Sequence, residues 1–199
     1  MKKRNVALIL ALALVLTAAV GGTLAWLTAK SETVVNTFTT SDIKVELKET
    51  TGGTYKMVPG SSISKDPKAT VLAGSEKCYL FVKLEKSSNF DNYLTYEMAD
   101  GWTALTGVTG VYYRVVDGTT YKIGTAYSVL KENKVSVKNT VTKEMMSAID
   151  GVDADGKTNT DAAEAELSAR PTLTITAYAS QLYNGTATID VKTAWGNIS

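Results

Sequence analysis

Apolar residues at every second position, in short runs separated by turn-forming dipeptides, restrict this chain to a β-rich fold. The clearest run is Lys77 to Lys86. Cys78, Leu80, Val82 and Leu84 fall on one face of an extended chain, and Tyr79, Phe81, Lys83 and Glu85 on the other. Successive strand side chains point to opposite faces, so this spacing predicts a strand. The second face is aromatic at one end and charged at the other. Burial on both sides is expected around Tyr79 and Phe81.

The same reading applied along the chain predicts further strands. Ile43, Val45 and Leu47 alternate with Lys44, Glu46 and Lys48, a half-buried pattern. Tyr55 to Val58 is a short strand stopped by Pro59-Gly60, and Ser61 to Pro67 an extended connector. Lys68 to Leu72, Tyr93 to Met98, Trp102 to Leu105 and Val111 to Val116 are strands. Asp117-Gly118 turns the chain onto Tyr121-Lys122-Ile123. Val129-Leu130 and Val135 to Val137 add short strands. Thr142 to Ile149 has helix composition with Thr142 as its cap, and 161–167 a second, weaker helical composition. In Thr172 to Ala179, Leu173, Ile175, Ala177 and Ala179 oppose Thr174, Thr176 and Tyr178. Thr186 to Ile198 fits a helix as well as a strand, with Trp195 as an anchor. Strands at intervals of about 8–12 residues predict an antiparallel sandwich or barrel with one or two short helices.

The N-terminus carries an address. Lys2-Lys3-Arg4 precedes an apolar run of 15 residues, Val6 to Val20, and small residues follow. A charged start, a short apolar stretch and a small-residue site form a secretory signal peptide. The run falls short of the roughly 20 residues a membrane-spanning helix requires. Residues 1–25 are therefore expected to be a helical leader, cut after Thr23-Leu24-Ala25 to expose Trp26. The competing reading is an uncleaved anchor lengthened by Leu24 to Leu27. Export places the protein outside the cell, in an extracellular matrix or at the cell surface.

Removing 25 of 199 residues leaves 174, with 18 basic and 20 acidic side chains. No basic excess remains, so neither nucleic acid nor an anionic lipid surface is an expected partner. Membrane contact is expected only through the leader. The chain has no histidine and a single cysteine, Cys78. Serine and cysteine triads, histidine acid-base chemistry and histidine-ligated zinc are excluded. An internal disulfide is excluded too, so the fold must stand on packing and hydrogen bonds. Cys78 reads as a small buried residue rather than a nucleophile. No catalytic residue, cofactor or metal is assigned. Residues 150–156 mimic a calcium loop, but aligning Gly156 with the loop glycine puts Gly151 and Ala162 at the first and last ligand positions. Only a looser set of Asp153, Asp155 and Asp161 is left, and a solvated loop is the default reading.

Three patches, in order, carry a resemblance. The first is Gly21 to Thr28 with Asn36-Thr37-Phe38 and the strand from Ile43. The second is Val58 to Pro67 followed by Tyr79 to Leu84. The third is Ile175 to Gln181 with Ala194-Trp195. Together they resemble the TasA/camelysin family of exported Gram-positive proteins, whose leaders are cut by a SipW-type signal peptidase. The resemblance implies a jelly-roll-like β-sandwich over 41–199 that works as a structural protein of the biofilm matrix or cell surface. It implies self-association into fibres, with other matrix components as further partners. It also implies that residues 26–40 act as a donor strand for the next subunit, with Val34, Val35 and Phe38 as the inserted side chains. Pairing of that segment within its own domain is the plainer alternative. Some members carry a metallopeptidase label, which the missing histidine contradicts here. A non-polymerising adhesin or carbohydrate-binding module on the same fold is the rival function.

Overall fold

The described residues build three antiparallel sheets. The computed structural model describes residues 42–51, 55–150 and 170–199. Residues 1–25, the segment 26–40 and the segment 151–169 lie outside them. The strands in chain order are β1 (Val45–Lys48), β2 (Ser62–Ser64), β3 (Lys68–Val71), β4 (Cys78–Lys86) and β5 (Leu94–Thr95). They continue with β6 (Thr103–Ala104), β7 (Val111–Val116), β8 (Ala126–Ser128), β9 (Lys134–Val137) and β10 (Leu173–Gln181). Helices α1 (Phe90–Tyr93), α2 (Lys143–Asp150) and α3 (Val191–Gly196) are short. None of the described helices is long and apolar enough to cross a membrane.

One sheet has the order β10-β4-β7-β6; the others are β1-β3-β8 and β2-β9-β5. The two three-stranded sheets are joined by backbone bonds. The Lys65 amide donates to Asn133 O at 2.8 Å, and the Val129 amide donates to Pro67 O at 2.9 Å. Two long extended stretches, 62–71 and 126–137, thus run antiparallel and change sheet at the same level. On one stretch the break is Pro67, which lacks an amide hydrogen yet still offers its carbonyl. On the other it is a 3-10 turn, Lys131–Asn133, where Glu132 and Asn133 sit at φ 53° and 51°.

β4 is central. Cys78, Leu80, Val82 and Leu84 join a core with Ala69 and Val71 of β3, Val135 and Val137 of β9, and Leu94. On its other face Tyr79 and Phe81 pack with Val111, Leu182, Ala194 and Trp195. The expected two-sided burial is therefore found: Tyr79 is 7% exposed and Phe81 fully buried. Burying each such side chain contributes about 1.5–3 kcal/mol. β10 follows the predicted alternation, with Leu173, Ile175, Ala177 and Ala179 against the first core and Tyr178 against the second.

The C-terminal stretch resolves as a helix because Asp190 caps it. Its carboxylate accepts from the amides of Lys192 (3.0 Å) and Thr193 (3.1 Å). The cap delivers Trp195 onto Phe81 and Tyr178, each at a centroid distance of 5.3 Å. Thr142 caps α2 as expected, accepting from the Met145 amide at 3.3 Å. Gly110 shows why one turn needs glycine. At φ +74° an added Cβ would stand 2.4 Å from Leu84 O, where Gly110 O already accepts the Leu84 amide.

Several expected elements differ. Tyr55 to Val58 is irregular, having no strand to pair with. The Ser61 to Pro67 connector contains β2, which finds β9. Of the strand expected over Tyr93 to Met98 only Leu94–Thr95 forms: Ser87 and Asn89 carbonyls close α1 over buried Phe90 before it, and Met98 makes only an isolated bridge. Tyr121 to Ile123 is a turn region, and the next strand is β8. Val129-Leu130 is only an isolated bridge, Leu130 to Met98.

Trp195→Ala empties a site ringed by aromatics and is expected to cost about 3–5 kcal/mol, read as a fall in the urea midpoint of the purified protein. A change below about 1 kcal/mol would show that α3 is not anchored by this ring.

Candidate functional site

Three features stand out: one sheet edge, one cavity and one buried arginine. β10 ends the four-stranded sheet, pairing with β4 along all nine residues from Leu173↔Lys86 to Gln181↔Cys78. No described strand is bonded to its outer side. Natural edges are usually kept short, charged or broken by proline or a bulge. β10 is long, and Leu173–Gln181 reads LTITAYASQ, without charge, glycine or proline. The opposite edge, β6, has two residues. β1 approaches β10 where the layers meet and is itself an edge.

A cavity of about 870 Å³ opens at the Leu173 end of β10. Its wall includes Met57, Ile63, Phe90, Leu94, Met146 and Leu173. Three cations, Lys56, Lys65 and Arg170, also line it, and among the described residues the lining contains no carboxylate or carboxamide. One side of the mouth is held by a polar network. Asp66 accepts from the Thr50 hydroxyl at 2.6 Å and amide at 2.9 Å, and from the Thr51 hydroxyl at 2.9 Å and amide at 3.1 Å. The Thr50 and Thr51 donors hold its carboxyl well below the usual carboxylate range. Beside it Lys65 Nζ pairs with Glu49 at 2.9 Å, and Tyr55 donates to Thr51 O. Lys65 and Tyr55 are thereby pinned into the cavity wall.

A third feature is structural. Arg114 is 4% exposed on the inter-sheet face of β7. Its guanidinium carbon lies 4.0 Å from the Trp102 ring centroid, 4.4 Å from Tyr127 and 4.6 Å from Tyr121. Nη2 donates to Asp100 O at 3.3 Å, and Nε has no hydrogen-bond partner. Burial lowers its pKa, yet arginine stays charged throughout the working range. The cage ties β7 to β8 and the Asp117 turn by cation–π attraction. Sequence reasoning passed over it because alternation in Val111 to Val116 shows a face but not what covers it.

The site residues expected from sequence lie where the structure gives no description: Thr23, Ala25 and Trp26 at the cleavage site, and Val34, Val35 and Phe38 in the donor segment. Asp153, Asp155 and Asp161 fall outside the described residues too. Among the described residues no group of three or more His, Cys, Asp or Glu could hold a metal ion. Cys78 is fully buried, and burial pushes its thiol up to about 11, so the thiolate nucleophile is scarce.

Native Cys78 is expected to resist a thiol reagent at pH 8 and to react once urea unfolds the chain; rapid native labelling would contradict its placement. Asp66 supplies a pH prediction. Its folded pKa is depressed, so its contribution is whole above the unfolded value of 3.8 and fades as pH falls below it. Asp66→Asn should lower the urea midpoint at neutral pH and flatten its decline below about pH 4. Equal acid limbs in both proteins would sink this role. Comparison of the chain with protein-family models, with characterised proteins and with solved structures found no match.

Proposed function

We propose that this protein is an exported structural subunit of the biofilm matrix or cell surface, assembling into fibres by β-strand donation on a jelly-roll-like sandwich. The observation that supports this most is the long, uncharged outer edge of β10. A strand added there would gain main-chain hydrogen bonds along nine residues and bury alternate side chains against the core. The donor is the segment 26–40, freed when a SipW-type peptidase cuts after Ala25, with Val34, Val35 and Phe38 supplying the buried side chains. It contains no proline, so nothing in it blocks a continuous ladder. The reading gives the protein no catalytic task. The TasA/camelysin resemblance of the three sequence patches points the same way.

A second reading is a non-polymerising surface module, and the cavity favours it. The two separate cleanly. The protein starting at Trp26 should form filaments visible by electron microscopy, and removal of residues 26–40 should leave monomers with an unchanged circular dichroism spectrum. A protein that stays monomeric at high concentration, with or without the segment, would remove the fibre reading and leave the surface module.

A further inference from the structure

The geometry points to the cavity as a binding site for a single-chain amphipath with an anionic head, of the fatty-acid class. Size comes first. About 870 Å³ lies in the range of small-molecule sites, which span roughly 300–1,000 Å³. Chemistry comes second. Met57, Ile63, Phe90, Leu94, Met146 and Leu173 present hydrocarbon, thioether and ring surface, suited to an acyl chain and unable to bind hydroxyls. A sugar needs carboxylate or amide side chains around its hydroxyl groups, and the described residues of this wall supply neither. Two methionines add side chains that adapt to irregular apolar shapes.

Charge decides the head group. Among the described residues, the ionisable groups in the wall besides Tyr55 are the cations Lys56, Lys65 and Arg170. Glu49, behind the wall, is engaged by Lys65 at 2.9 Å. Lys56 is exposed and has no ion pair among the described residues. An acyl chain in the cavity with its head beside Lys56 would thus meet a cation that none of the described carboxylates engages. A neutral or cationic head would gain nothing there. Preorganisation helps, because the Asp66–Thr50–Thr51 network fixes the segment that carries Lys65 and Tyr55. The site does not depend on polymerisation, so it stands or falls apart from the fibre reading.

The test is calorimetric titration of the protein lacking residues 1–25 with dodecanoate, decanoate and dodecanol. Dodecanoate should bind saturably at one site, and decanoate on the order of tenfold more weakly, from the loss of two buried methylenes. Dodecanol should bind at least about fivefold more weakly, since it has no charge for Lys56. Lys56→Glu should weaken dodecanoate similarly, with Lys56→Arg restoring it. Met57→Trp should fill the cavity and abolish binding. Because that variant could perturb folding, methyl-labelled methionine spectra of the unmodified protein give a second readout: Met57 and Met146 signals should move and Met98 should not. Absence of saturable binding would overturn the assignment. So would equal affinity for dodecanoate and dodecanol, or methyl shifts confined to Met98. Exclusion of dodecanoate by a peptide of residues 26–40 would overturn it in favour of a protein segment as the occupant.

Discussion

The architecture hangs on the burial of β4 from both sides. Leu80 and Val82 face one apolar layer, and Tyr79 and Phe81 face another. A strand buried on one face needs one partner layer; this strand needs two. The joined three-stranded sheets cover the first face. The chain end covers the second, with α3 laying Trp195 on Phe81 and Tyr79 donating to Ile189 O at 2.8 Å. Because β4 is central, β7 and β10 take its two flanks. β7 is then pinned by the Arg114 cage, while β10 is left as the border among the described strands.

That placement links packing to function. β10 is buried enough on its faces to be apolar, yet it has no described partner on its outer side. An edge of that kind is a template for another strand. The same position generates the cavity. Leu173 starts β10 at the end where Tyr55 to Val58 fails to form a strand and α2 packs from outside, so apolar side chains border a gap. The edge and the cavity thus share one strand: β10 ends its sheet, and its first residue, Leu173, lines the cavity.

Much of this was readable locally. The alternation in Cys78–Lys86 and Leu173–Gln181 predicted both strands and their faces, and Pro59-Gly60 and Asp117-Gly118 marked real turns. Cys78, amid alternating apolar residues, was rightly read as buried. Other parts needed a partner far along the chain. Tyr55 to Val58 has strand composition, but no described strand pairs with it, and β9 has β2 and β5 on its two sides. Tyr121 is drawn out of a ladder by its contact with Arg114 and its edge-on packing against Tyr127. Local preference for a strand loses when the packing reward lies elsewhere.

By itself the sequence determined a β-rich class, the alternating faces, the turn positions and the absence of histidine chemistry. Each of these follows from backbone period, glycine and proline geometry, or residue inventory, and none needs a contact. Tertiary structure alone decided that β10 is a border strand among the described strands, that Arg114 is caged, and that cations line an apolar cavity. Those properties arise from pairings between residues as distant as Tyr79 and Ile189, 110 positions apart. Side-chain alternation records which face is apolar, but it carries no information about which neighbour covers that face.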